Sequence, residues 1–304
     1  MAAHVISVKV MTTAALNTGV WPLFRELVSL TKPRVSLLVL LTAAAGMGLA
    51  HHAMALSQIV AMQLGMVLIV GCANALNCWI ERDSDALMER TSNRALPAGR
   101  LSPHAALGFA CLLGAVSVPL LTLLVNPLTG LLGVLALLLY VGAYTPLKSR
   151  TPAALIIGAV PGALPPLMGV TAATGRMDGL GLALFGILFL WQMPHVIGLS
   201  CYRKADYERA GIKVLPLVRG DRVAKWHALL WAISLLPVSL ALPSLGAGST
   251  LYTIFAWLLG LAYVGLTLRG FQRDSGAVWG RRLFLGSLLY LPLLFAALLL
   301  DSAV

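Results

Sequence analysis

The chain has 304 residues, of which 59% are hydrophobic and only 11% charged, with a mean hydropathy of +0.88. A water-soluble domain carries roughly 25% charged residues, so the composition excludes one and points to an all-α, polytopic membrane protein. The formal net charge of +11 would suit nucleic acid only if clustered, but the cations lie in short loops between apolar runs, so no nucleic-acid partner is expected.

Residues 1–28 read as a cytoplasmic N-terminal tail with scattered Ser and Thr, the basic residues Lys9 and Arg25, and no apolar core of signal-peptide type. Trp21 to Lys32 reads as an interfacial segment. Residues 29–304 read as a single transmembrane domain. Apolar runs long enough to cross a bilayer recur at 35–55, 57–80, 104–125, 127–145, 153–173, 179–201, 224–243, 248–268 and 282–301. About nine transmembrane helices, bundled around a central cavity, are therefore expected. Cys72, Cys78, Cys111 and Cys201 lie in or beside these runs without a Cys-x-x-Cys pair, so neither a disulfide nor a thiolate metal site is expected.

The nine-span model carries its own check. It puts the tail and every second loop on one side, and that side collects all 22 Lys and Arg residues except Arg176. The positive-inside rule makes that side cytoplasmic and leaves the C-terminus outside, in a cell (inner) membrane.

The densest charge lies at Asn77–Gly99, NCWIERDSDALMERTSNRALPAG. If the preceding helix continues, Asn77, Glu81 and Asp85 step by four residues and share a face. Two carboxylates and an amide at the water end of a membrane helix suit a hard cation such as Mg2+ shared with a phosphorylated substrate. The same residues also suit a plain solvated helix cap.

A second stretch, YTPLKSRTP from Tyr144 to Pro152, presents Lys148 and Arg150 to the same side. There they suit a diphosphate, or simple positive-inside anchoring. The third, WQMPHVIGLSCYRKADYERAG from Trp191 to Gly211, places His195, Tyr202 and Asp206 at steps of seven and four, nearly one helical face. A histidine at membrane depth is costly when charged and is a site candidate; a neutral, hydrogen-bonded core histidine is the plainer alternative. Arg-x-x-Asp recurs four helices apart, at Arg82/Asp85 and Arg203/Asp206, a faint echo of a duplicated bundle.

These stretches resemble the UbiA-type intramembrane prenyltransferases. Asn77, Glu81 and Asp85 occupy the places of that family's Asn-x-x-x-Asp-x-x-x-Asp motif, followed by an Arg-Thr-x-Asn-Arg run from Arg90 to Arg94; Tyr144 and Lys148 match its Tyr-x-x-x-Lys element. The Trp-Gln-x-Pro-His start and Asp-Tyr-x-x-Ala-Gly end of the third stretch look most like the haem-farnesylating branch. The chain departs from the wider family in Glu81 for Asp, Ala95 for Pro, and His195 where quinone-pathway relatives have an acid. The resemblance implies Asn77, Glu81, Asp85 and Asp206 as catalytic ligands of Mg2+. It implies Arg82, Arg90, Arg94, Tyr144, Lys148, His195, Tyr202 and Arg203 as substrate-binding residues. Farnesyl diphosphate and haem B are the implied substrates and the lipid bilayer the setting, with haem A synthase or a terminal oxidase assembly factor as partner. The competing readings are prenylation of an aromatic acid or quinone precursor, and an ion-coupled transporter. The latter should carry polar residues deep in several helices, whereas these charges cluster at one water boundary.

Overall fold

The computed structural model describes residues 19–272 and 276–302, and among them every regular element is helical. Residues 1–18 of the expected tail and the last two residues lie outside this range. The remainder of the tail enters α1 (Val20–Leu30), which meets α2 (Pro33–Leu49) at 53°. Lys32 makes the corner with φ 50° and ψ 63°, left-handed geometry that costs a non-glycine residue about 1 kcal/mol or more.

The chain continues through α3 (Leu56–Ile80), the single turn α4 (Arg82–Asp85) and α5 (Pro103–Pro119), which extends to Val125 as a π-helix. Next, α6 (Pro127–Leu137) runs through a π-helical stretch, Leu138–Tyr144, into the short α7 (Thr145–Leu147). The second half comprises α8 (Ala154–Thr174), α9 (Gly179–Tyr202), α10 (Lys204–Arg209), α11 (Leu215–Val218), α12 (Asp221–Leu240), α13 (Thr250–Leu268) and α14 (Gly276–Ser302).

Eight helices of the described residues are long and apolar enough to cross a membrane, and the bent α1–α2 pair makes a ninth. The expected spans are recovered with shifted boundaries: the last starts at Gly276 rather than 282, and the seventh runs Asp221–Leu240 rather than 224–243. The first was expected to reach residue 55 but ends at Leu49, because the chain turns at His51, whose φ is 47°. Helix starts follow local chemistry. Pro33, Pro103 and Pro127 open helices where a missing N–H costs nothing. The Asn126 and Asp178 side chains accept first-turn N–H groups of Thr129 and Gly181, both at 2.9 Å.

Packing in an apolar solvent depends on close approach rather than on hydrophobicity. Helix α2 packs on α8, and α9 is embraced by α8, α12 and α14. A Cβ on Gly46 would sit 2.2 Å from the Pro166 carbonyl oxygen, and one on Gly169 would sit 2.1 Å from that of Ala43. Glycine at both positions lets the α2 and α8 backbones touch. One end of the bundle then gathers the start of α2 and the ends of α3, α6 and α9 around a common opening.

Candidate functional site

At that end lies a cavity of about 340 Å3, lined by polar groups of α3, α4, the Leu138–Tyr144 stretch and the residues Lys32 and Lys148 beside α2 and α7, and by the apolar Val35, Leu155, Val196 and Ile197. Asn77, Glu81 and Asp85 all reach it, each less than 8% exposed. The four-residue stepping survives although α3 ends at Ile80. Glu81 N–H still donates to the Asn77 carbonyl at 3.0 Å, and Asp85 N–H donates to the Glu81 carbonyl at 2.7 Å, so the shared face carries across the break. Asp83, by contrast, points outward with its side chain 87% exposed.

Each buried carboxylate faces a cation. Arg94 Nη1 donates to Asp85 Oδ2 at 2.6 Å. Lys148 Nζ lies 2.5 Å from Glu81 Oε1, an ionic contact without hydrogen-bond alignment. The second oxygen of Asp85, Oδ1, is buried and has no hydrogen-bond partner. Lys32, turned inward by its left-handed corner, donates to Asn77 Oδ1 at 2.9 Å, and the Asn77 amide donates to Thr145 Oγ1 at 3.3 Å. Arg90, Tyr144 and Lys213 complete the polar wall, with Tyr140 and Tyr207 beside them. Burial raises the Tyr207 phenol above its ordinary range, so it stays a neutral donor. Five cations (Lys32, Arg90, Arg94, Lys148, Lys213) against two carboxylates leave the cavity net positive.

Of the residues singled out in the sequence, Asn77, Glu81, Asp85, Arg90, Arg94, Tyr144 and Lys148 converge here; Arg82, His195, Tyr202, Arg203 and Asp206 are not part of the lining. Arg82 turns back to the Trp79 carbonyl at 2.9 Å and over its ring. The single face expected for His195, Tyr202 and Asp206 does not form. Helix α9 stops at Tyr202, Arg203 leaves helical geometry with φ −108° and ψ 31°, and Asp206 begins its own turn in α10. There Asp206 is paired with Arg209 and lies 3.8 Å from Arg203, while Arg203 sits over the Tyr202 ring. No group of three Asp, Glu, His or Cys side chains among the described residues is placed to hold a metal together. Asn77, Glu81 and Asp85 line the cavity, and Asp206 does not.

Sequence reasoning passed over Lys32, Tyr140, Tyr207 and Lys213. For Lys32 a signal existed, a Lys-Pro pair opening the first apolar run, where proline fixes a helix start and its neighbour cannot be helical. Tyr140 lies four residues before Tyr144, in the same π-helical stretch, a distortion that recurs at functional sites. Lys213 had none: it arrives because its N–H donates to the Lys148 carbonyl at 2.9 Å, joining two loops distant in sequence.

Residues 39–289 match the model of the UbiA prenyltransferase family. The chain is 51% identical over 276 residues to a protoheme IX farnesyltransferase of Myxococcus xanthus, covering 91% of this chain and 94% of the relative. It is 48% identical over 293 residues to the enzyme of the same name from Anaeromyxobacter dehalogenans, covering 96% and 99%. In fold it is similar to a solved structure of digeranylgeranylglyceryl phosphate synthase, with a TM-score of 0.79 at 14% identity over 92% of this chain and 98% of that one. It is also similar to a UbiA homologue from Archaeoglobus fulgidus bound to GPP and Mg2+, with a TM-score of 0.65 at 18% identity over 90% and 99%.

Proposed function

The chain belongs to the UbiA prenyltransferase family, and we propose that it transfers the farnesyl group of farnesyl diphosphate to a vinyl group of haem B, giving haem O. The observation that carries this reading is one cavity combining two buried carboxylates, five cations and an apolar wall at the end of a membrane bundle. The excess of positive charge matches a diphosphate, and the hydrocarbon wall matches a prenyl chain. The relatives named protoheme IX farnesyltransferase support the acceptor.

Lys32, Arg90, Arg94, Lys148 and Lys213 hold the diphosphate. Asn77, Glu81 and Asp85 would hold Mg2+, and the unpartnered, buried Oδ1 of Asp85 fits a hard cation that takes one or two carboxylates plus phosphate oxygens. When bound, Mg2+ supplies Lewis-acid stabilisation of the leaving diphosphate. The C1–O bond breaks, diphosphate departs with the electron pair, and the lysine and arginine side chains bear its charge. Val35, Leu155, Val196 and Ile197 keep water from the allylic cation. The terminal vinyl carbon gives its π electrons to farnesyl C1. The cation left beside the porphyrin ring takes up water, which releases a proton to solvent, leaving a hydroxyethylfarnesyl group. Asp206, held by Arg209 and Arg203, orders the loop that brings Tyr207 and Lys213 to the cavity.

The cation bias supports a cavity mouth facing the cytoplasm; the bundle sits in the inner membrane, where the bilayer delivers both apolar substrates, and haem A synthase or a terminal oxidase assembly factor takes the product. Cysteines at Ser92, Ser149 and Arg219, in a background lacking native cysteines, should resist an impermeant thiol reagent in intact cells; labelling would invert the topology. The reaction is tested by expressing the chain in cells without their own haem O synthase and weighing the extracted haems. A farnesylated, hydrated haem should appear. An unchanged haem pool together with a prenylated 4-hydroxybenzoate would assign the chain to quinone chemistry instead.

A further inference from the structure

His195 stands one residue before Val196, which lines the cavity, yet its ring is turned toward α14. Two glycines make this possible. A Cβ on Gly280 would lie 2.7 Å from the Gly198 carbonyl oxygen, and one on Gly198 would lie 3.0 Å from that of Gly280, so α9 and α14 meet backbone to backbone. That approach brings the fully buried Ser287 against His195, with Oγ 2.6 Å from Nδ1. The imidazole stacks on Trp191, with ring centres 4.9 Å apart, and tilts on Phe284 at the same distance. Trp191 is itself pinned by its indole N–H, which donates to the Ser287 carbonyl at 2.9 Å.

Counting donors fixes the tautomer. A serine hydroxyl carries one hydrogen. Ser287 Oγ also lies 2.6 Å from the Phe284 carbonyl oxygen, an acceptor, so the hydroxyl hydrogen belongs to that contact. The Ser287 oxygen must then accept from His195, which places the ring proton on Nδ1. Nε2 is left with a bare lone pair, and no hydrogen bond to it exists among the described residues. Both ring faces and one edge are covered, yet His195 remains partly exposed. A histidine whose Nδ1–H is tied down and whose Nε2 is free is the arrangement in which imidazole ligates metals, with the tie setting ring orientation and basicity.

We propose that His195 Nε2 is the axial ligand of the acceptor's iron, and that Ser287 is the positioning residue that holds the ring in its ligating tautomer. The proposal rests on haem B being the acceptor. The dative bond forms from the Nε2 lone pair to iron, with no change of oxidation state and no proton released.

The test uses the full chain in lipid nanodiscs, titrated with ferric haem B without farnesyl diphosphate and followed in the Soret band. The wild type should give a histidine-ligated spectrum. His195→Ala should lose it and bind haem at least about tenfold more weakly, and added imidazole should restore the ligated spectrum, which a misfolded variant would not allow. Ser287→Ala should weaken haem binding by about tenfold with unchanged affinity for farnesyl diphosphate, while Ser287→Thr keeps wild-type behaviour. If the wild type farnesylates haem but His195→Ala leaves spectrum and affinity unchanged, the ligand assignment is overturned while the haem reading stands. If the wild type neither binds nor farnesylates haem, both fall.

Discussion

The two charged loops of this protein begin alike and end differently. After α3 and after α9 the chain leaves a long apolar helix, reads Arg-x-x-Asp within a few residues, and forms one short helical turn. In the first loop the i to i−4 hydrogen bonds persist through Glu81, so Asn77, Glu81 and Asp85 remain stacked and face the cavity. In the second the same i to i−4 bonds run through Arg203 to Tyr207, so it is Tyr207, with Lys213, that goes to the cavity, while Asp206 is held by two arginines of its own loop. The same four-residue text thus places a carboxylate in the cavity wall in one case and among the arginines of its own loop in the other. Whether a carboxylate has a free buried oxygen, as Asp85 does and Asp206 does not, separates the two roles.

The comparison can be broken by substitution. Asp85→Asn should have the largest effect, lowering kcat/KM about 100-fold or more at unchanged protein abundance, because it removes a ligand charge from the Mg2+ that would stabilise the leaving diphosphate. Excess chelator should abolish turnover in the wild type, and Mg2+ should restore it. Activity that persists in chelator would reduce the first loop to a helix cap.

Lys32→Met comes next. It removes a charge-assisted donor from Asn77 and a cation from the diphosphate, and charged hydrogen bonds contribute about 1.5–3 kcal/mol, so kcat/KM should fall roughly 10- to 100-fold. A variant with normal kinetics would make the left-handed corner purely architectural.

Asp206→Asn should cost less, about fivefold or below. Its partners Arg203 and Arg209 are 43% and 54% exposed, and ion pairs with such cations contribute about 0–1 kcal/mol. A loss as large as that of Asp85→Asn would show that the second loop shares the metal and would erase the distinction drawn here. The smallest effect belongs to Asp83→Asn, within about twofold of wild type, because this carboxylate is solvated, lies away from the cavity and makes only a surface ion pair with Arg82 at 3.8 Å. Steady-state kinetics on the four variants, measured with one substrate pair, rank them directly.

Much of this was legible without a structure, and the reasons are local. The nine spans follow from the length of apolar runs, and their starts from Pro33, Pro103, Pro127, Asn126 and Asp178, whose effects act within one turn. The Asn77, Glu81, Asp85 stack follows from a four-residue step that needs only one continuous ladder of hydrogen bonds. Other features were not legible. His195 was grouped with Tyr202 and Asp206 on a periodicity that Arg203 interrupts, and nothing local forbids a helix at that residue. The cavity's Lys213 gave no signal, since it arrives through a contact between two loops distant in sequence.

Sequence by itself determined the fold class, the count of spans, the side on which charge gathers and the three oxygen donors of the first loop. Tertiary structure alone decided which cations face those donors, that Asp206 is neutralised within its own loop, and that His195 meets Ser287 rather than the first motif. The physical reason is the solvent. In a membrane the lipid side and the packed side of a helix are both apolar, so hydrophobic periodicity does not mark which face turns inward. That choice is made by backbone contacts such as Gly198 on Gly280, between residues more than eighty positions apart.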